Sequence, residues 1–167
     1  EIDRTLLHQA AEMINRAERP VLYLGGGVIN ADAFMAARML AEKGGIPATM
    51  TLLGLGAMPS NHSLCLGMLG MHAARYTNLV LEDCDLLIAA GVRFDDRATG
   101  KVAEFCPEAE VIHIDIDPSE LGKIRAAHLG MTGDVEEALT ALLPLVEEKP
   151  RLDWLARVAE LKRDYPM

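Results

Sequence analysis

The sequence predicts an α/β protein built on a doubly wound parallel sheet. Three observations predict it. Short apolar runs such as Val21–Leu24 and Leu86–Ala90 alternate with stretches whose apolar residues recur at helical spacing. These runs are apolar throughout, as strands covered on both faces are. Right-handed crossovers between parallel strands then send the helices to both faces of the sheet. The chain has 167 residues, half of them apolar, which suffices for one domain with a sizeable core.

The elements follow in order. A helix is expected from about Asp3 to Ala17, with Leu6, Ala10, Met13, Ile14 and Ala17 on one stripe, and Pro20 marks its exit. Val21–Leu24 reads as a buried strand closed by Gly25-Gly26-Gly27. A second helix is expected from about Ala31 to Lys43, stopped by Gly44-Gly45. Ile46–Thr49 reads as a strand, with Pro47 near its start, where a missing N–H is tolerable. Turn residues dominate from Met50 to His72, with Leu64–Leu66 as a short strand. Ala73–Leu81 reads as helix, Leu86–Ala90 and Val111–Asp115 as strands, and Pro118-Ser119 as a helix start. His128–Met131 is expected as a last short strand. Val135–Glu147 and Leu152–Asp164 read as amphipathic helices on either side of the break Glu148-Lys149-Pro150.

Composition excludes some classes of function. The formal charge of −9 argues against a nucleic-acid partner, because phosphate backbones need a basic field. No apolar run approaches the roughly 18 residues of a membrane span. Cys65, Cys84 and Cys106 are scattered and form no CxxC, which reads as buried reduced thiols of a cytoplasmic protein. The start at Glu1-Ile2-Asp3, without Met and already close to a helical pattern, reads as a piece of a longer protein.

In an open parallel sheet, ligands bind beyond the carboxyl ends of the strands, so functional residues should follow strands. Gly25-Gly26-Gly27 could admit a phosphate closely or simply make a tight βα turn. The GxGxxG fingerprint is not met, because Asn30 holds its sixth position. Thr49 and Thr51 could bind phosphate or ribose, or serve structure. In the loop GVRFDDRATGK (91–101), Arg93 and Arg97 offer fork-shaped donors that suit a pyrophosphate. Asp95 and Asp96 could orient those arginines, accept from ribose hydroxyls or act as acid and base, or the loop could be a self-neutralised surface turn.

The HIDID stretch at 113–117 places His113, Asp115 and Asp117 on one side of the chain. An acid there could accept from ribose hydroxyls, and a cation site is the competing reading. Asp117 before Pro118 reads as an N-cap, and Asp134 as an N-cap or a nucleotide contact. His72 is ambiguous. No nucleophile elbow, Walker loop, zinc pattern or Ser-His-Asp order is present, so the residues describe a nucleotide-binding domain without its own catalytic machinery.

Several segments together resemble one family. LGMLGMHA (66–73), CDLLIAAGVRFDDRATGK (84–101) and HIDIDPSE (113–120) closely resemble the central domain of the acetohydroxyacid (acetolactate) synthase catalytic subunit. GGGVINA (25–31), TLLGLGAMP (51–59) and Gly133-Asp134 do so too, and the likeness runs from about Arg19 to Val135. The resemblance implies a six-stranded, three-layer, Rossmann-like domain that binds FAD, spanning residues 1–147. Residues 148–167 would be a linker and a C-terminal helix leading to a thiamine-diphosphate domain outside this chain. It also implies a cytoplasmic bacterial enzyme that decarboxylates pyruvate and joins the two-carbon unit to a second 2-oxo acid in branched-chain amino-acid synthesis. Its large subunits would form a homodimer or tetramer with a small regulatory subunit. Alternatives are a stand-alone regulatory nucleotide module, or the same domain of a sister enzyme such as glyoxylate carboligase.

The resemblance also implies roles. Gly25, Gly26 and Gly27 match glycines beside the FAD phosphates, and Thr51 and Leu52 match contacts along the flavin chain. Met68, Leu69, Gly70, Met71 and His72 match the segment beneath the cofactor. Gly91, Arg93, Asp95, Arg97 and Ala98 match the loop that holds pyrophosphate, ribityl chain and ring. Asp115 and Ile116 match the adenosine-ribose contact, and Gly133 and Asp134 the adenine side. Met71, Asp96 and Arg97 match the rim of the substrate channel, where inhibitors bind. Ala73 and Ala98 depart from a common Gly and Val. The chain lacks the GDG and downstream Asn that hold thiamine diphosphate and Mg²⁺, and the catalytic Glu belongs to another domain. The resemblance therefore implies FAD here, thiamine diphosphate and Mg²⁺ elsewhere, and no catalytic or metal-binding residue in this chain.

Overall fold

The computed structural model describes residues 2–68, 74–92, 106, 109–118 and 128–166. Among these, six strands form one sheet: β1 (Pro20–Leu24), β2 (Ala48–Met50), β3 (Cys65–Met68), β4 (Leu86–Ala90), β5 (Glu110–Asp115) and β6 (Leu129–Thr132). Every neighbouring pair is parallel, in the order β3-β2-β1-β4-β5-β6. The chain therefore winds outward from β1 to one edge, returns to β4 beside β1, and winds to the other edge. The expected doubly wound architecture is observed, and the winding reverses between β1 and β4.

Strict alternation along the strands divides two cores. Leu22, Leu24, Ile88, Ala90, Ile112 and Ile114 face one layer, while Val21, Tyr23, Leu87, Ala89 and Val111 face the other. The first layer holds α1 (Arg4–Arg16), α3 (Phe34–Gly44) and α5 (Val135–Leu142), and the second holds α4 (Arg75–Asp83) and α6 (Leu152–Asp164). Asp3 starts α1, its Oδ1 accepting the Thr5 and Leu6 amides at 2.8 and 3.2 Å. Leu7, Ala10, Ala11, Met13 and Ile14 are buried along one stripe of it, as the periodicity requires. All three cysteines are buried, and none is in a disulfide. A hydrogen bond with Cys106, burial and nearby charge push the Cys84 thiol well above its usual range.

Four differences from the expected elements have local causes. The helix expected at 31–43 begins later, at Phe34 (α3), and a further short helix, α2 (Gly26–Asn30), stands directly on the triple glycine before it. Asp32 separates the two with a φ of +55°, a left-handed conformation that Asp tolerates better than most residues. The strand expected at 46–49 starts later, at Ala48. Pro47 has no N–H for the ladder, but its carbonyl accepts the Leu22 amide at 2.9 Å. Strand β3 extends to Met68, past a register break against β2 where Thr49 Oγ1 donates to Gly67 O at 2.8 Å. Helix α5 stops at Leu142 instead of Glu147, because Pro144 offers no amide to continue it.

The C-terminal helix spans the expected 152–164 and packs into the second core. Trp154 is buried and donates Nε1–H to the carbonyl of Pro20 at 3.0 Å. Arg151, just before it, adopts a φ of +45°. Its guanidinium donates to Ile14 O at 2.5 Å, to Ala17 O at 3.0 and 3.1 Å, and to Gly44 O. These carbonyls close α1 and α3, so one cation serves the negative ends of two helices. Burial pulls its pKa below the usual arginine value, and the carbonyl donations offset that cost.

At the reversal point the loops after β1 and β4 are stitched together. Gly25 N–H donates to Ala90 O and Gly27 N–H to Gly91 O, each at 3.0 Å. Gly91 N–H donates to Ile114 O at 2.9 Å, which extends the seam to β5. Gly91 sits at φ +63°, and a Cβ there would lie 2.7 Å from Gly27 Cα and Val28 N. Only glycine allows this backbone-to-backbone approach.

Two stability predictions follow. Arg151→Met keeps the apolar stem but removes the guanidinium from three helix-ending carbonyls, of which Ile14 O keeps only the Ala17 amide at 3.3 Å. Its urea midpoint should fall by the equivalent of about 2 kcal/mol or more. A wild-type midpoint would refute the clamp. Gly91→Ala combines left-handed strain with overpacking, roughly 2–5 kcal/mol together. Gly56→Ala is the control, because Gly56 also has a positive φ (+99°) but nothing within 4 Å. Equal loss of thermal midpoint in the two variants would refute the interlock.

Candidate functional site

Parallel winding brings the carboxyl ends of all six strands to one edge of the sheet. The described residues that the sequence singles out lie on this edge. Gly25–Gly27 follow β1, Thr51 and Leu52 follow β2, and Met68 ends β3. Gly91 follows β4, Asp115 ends β5 with Ile116 after it, and Gly133 and Asp134 follow β6. Leu69, Gly70, Met71, His72, Arg93, Asp95, Asp96, Arg97 and Ala98 lie outside the described residues.

Five of these residues line one cleft of about 190 Å³: Gly27, Gly91, Asp115, Ile116 and Asp134. The cleft sits over the seam where the winding reverses, the place where an open α/β sheet leaves a crevice. Asn30, Ala31 and Val135 complete the lining, and the sequence reading missed them in this role. Asn30 did carry a signal. It is the residue at which the dinucleotide fingerprint fails, and as the last residue of α2 it reaches the cleft instead.

The triple glycine has two readings, and the tight turn accounts for Gly25 and Gly27. Their amides are spent on Ala90 and Gly91 carbonyls. Gly27 still forms part of the cleft wall, where a bare backbone keeps the space open.

Asp115 is the buried acid of the site, 6 % exposed. Its Oδ1 accepts the Asp117 amide at 2.9 Å, and its carbonyl accepts the Gly133 amide at 3.0 Å. These two bonds fix the turn out of β5 and the approach of β6. A carboxylate has about four acceptor positions. His113 lies on the same side of β5, with Nε2 3.9 Å from Asp115 Oδ2. Asp117 falls beyond the strand end, so the alternation that joins His113 and Asp115 stops before it. Among the described residues, no group of three His, Cys, Asp or Glu side chains is arranged to hold a metal ion.

Asp134 is the N-cap of α5, its Oδ2 accepting the Glu137 amide at 2.9 Å, and it also lines the cleft. Ile116, 69 % exposed, offers an apolar face beside these acids. Among the described lining residues there are two carboxylates and no cation. Such a wall favours hydroxyl and N–H donors and opposes a phosphate.

On the β2 side, Thr51 N–H donates to Leu24 O at 3.0 Å, and its Oγ1 accepts the Gly54 amide at 3.1 Å. Thr51 therefore caps the 3₁₀ turn Leu52–Gly54, which presents Leu52 and Leu53 outward, 68 % and 74 % exposed. Thr49 is wholly buried and serves the bulge described above. No helix among the described residues is long and apolar enough to cross a membrane.

Comparison with known proteins identifies the family of the chain. Residues 7–142 match the family described as thiamine pyrophosphate enzyme, central domain. The chain is 56 % identical over 160 residues to the acetolactate synthase isozyme 1 large subunit of Escherichia coli (strain K12), covering 96 % of this chain and 28 % of that protein. It is 45 % identical over 164 residues to the acetolactate synthase large subunit of Porphyra purpurea, covering 95 % of this chain and 28 % of that one. It is 46 % identical over 160 residues to the isozyme 2 large subunit of Escherichia coli (strain K12), again 95 % and 28 %. The chain thus spans little more than a quarter of these relatives. With its fold and this match, it belongs to the central-domain family of thiamine pyrophosphate enzymes and is homologous to acetolactate synthase large subunits.

Proposed function

We propose that this chain is the FAD-binding central domain of an acetolactate synthase large subunit. The observation that carries the proposal is the cleft at the winding reversal. It gathers Gly27, Gly91, Asp115, Ile116 and Asp134 from four strand ends. At about 190 Å³ it is smaller than a site that buries a whole ligand, roughly 300 Å³ and above. It therefore suits one end of a dinucleotide, and its acids and exposed isoleucine suit an adenosine. Asp115 would accept from the ribose hydroxyls, Ile116 would lie against the base, and Asp134 would face its N–H edge.

The phosphates need cations, which the described residues of this wall do not include. Arg93 and Arg97 would supply them, with Gly91 and Ala98 beside them and Asp95 on the ribityl chain. Thr51, Leu52, Met68, Leu69, Gly70, Met71 and His72 would accompany the flavin end. Met71, Asp96 and Arg97 would also reach the substrate channel. FAD here would be a largely structural group, because joining two 2-oxo acids after decarboxylation involves no net redox change.

The whole protein would decarboxylate pyruvate and transfer the two-carbon unit to a second 2-oxo acid, in the cytoplasm and in branched-chain amino-acid synthesis. Thiamine diphosphate and Mg²⁺ would be held by other parts of the large subunit, which would act as a dimer or tetramer with a small regulatory subunit. Residues 148–167 would lead toward the thiamine-diphosphate domain, with α6 packed on this one. A stand-alone regulatory module is not favoured, given the extent of identity to the large subunits.

A flavin absorbance titration of wild type and Arg93→Ala tests the site. Removing a charge-assisted pyrophosphate contact should cost about 1.5–3 kcal/mol, more than a tenfold loss of affinity. Binding by neither protein, or equal binding by both, would remove the assignment's support. The isolated 167 residues, supplied with pyruvate, thiamine diphosphate and Mg²⁺, should form no acetolactate. Detectable acetolactate would show that the chain carries its own catalytic groups.

A further inference from the structure

We propose that His113 is a positioning residue of this cleft, holding the end of β4 in place against Asp115. The proposal rests on the reading above only for the identity of the ligand.

His113 is 1 % exposed on β5, behind the cleft. Its Nε2 lies 3.1 Å from Val92 O. A carbonyl oxygen can only accept, so Nε2 carries the proton and donates it. The same nitrogen is 3.9 Å from Asp115 Oδ2. One N–H edge therefore faces both the last described residue of the β4 loop and the buried acid of the cleft. The backbone seam Gly91 N–H to Ile114 O, at 2.9 Å, runs parallel to it.

The two ties have different consequences. The backbone bond holds β4 to β5 whatever side chains they carry. The imidazole sets the spacing between Val92 and Asp115, because it is short, planar and packed on every side. Gly91 and Asp115 are both cleft walls, and Val92 directly follows Gly91, so the tie acts on one wall of the cleft. His113 touches no ligand in this scheme. It acts through Val92 and Asp115.

The test compares wild type, His113→Gln and His113→Phe. Each is titrated with FAD by flavin fluorescence, at a temperature where circular dichroism shows it folded. Glutamine can return an N–H donor to the place of Nε2, whereas phenylalanine fills the space without one. Phenylalanine should weaken FAD on the order of tenfold, and glutamine should restore wild-type affinity. Equal weakening in both variants, or no weakening in phenylalanine, overturns the proposal.

If wild type itself binds no FAD, the cofactor reading fails and the positioning is decided on the protein alone. A long-range ¹⁵N–¹H spectrum reports the His113 tautomer directly. The Nε2–H form supports the proposal, and the Nδ1–H form overturns it. The same spectrum decides the matter should His113→Phe fail to fold.

Discussion

The structure depends on the close approach of two backbones at the winding reversal. Gly27 and Gly91 meet with no side chain between them, and the Gly27 amide closes on the Gly91 carbonyl at 3.0 Å. Strands β1 and β4 are neighbours because the chain returns to the sheet centre after β3. Their loops must therefore pass each other in a space that two Cβ atoms would fill. The same absence of side chains leaves the cleft above them open. A packing constraint and a binding surface thus arise from one cause, and Gly25 and Gly27 serve the first before the second.

The opposite end of the sheet is held by different means. There Arg151 places one guanidinium on the carbonyl ends of α1 and α3, and Trp154 reaches the first strand. The clamp lies far from the cleft, at the amino ends of the strands. It joins the last helix to the first through side chains, whereas the seam beneath the cleft is built from backbone. Such a division lets the cleft edge carry ligand-facing residues without also holding the helices together.

Much of this was legible in the sequence, for identifiable reasons. Leu86–Ala90 and Leu152–Asp164 were readable to the residue because an uninterrupted apolar run and a clear helical stripe have only one burial solution each. The placement of Asp115, Ile116 and Asp134 at one edge followed from parallel winding, and their meeting in one cleft needed only that β5 and β6 be neighbours. The separation of α2 from α3 was not legible, because it turns on the φ of a single residue, Asp32. Arg151 was not legible either, since its partners Ile14, Ala17 and Gly44 are more than a hundred residues away and are backbone carbonyls without a side-chain signature. Asn30 and Ala31 escaped for the same local reason as α2.

The central claim is that this cleft, at the carboxyl edge over the Gly27–Gly91 seam, is where the nucleotide end of the cofactor sits. Amide chemical-shift mapping of the ¹⁵N-labelled chain during addition of FAD tests it most directly. The account predicts shifts concentrated at Asn30, Gly91, Ile116 and Asp134. Shifts concentrated instead in the groove at the opposite end, around Ala17, Glu18 and Lys149–Trp154, would contradict it.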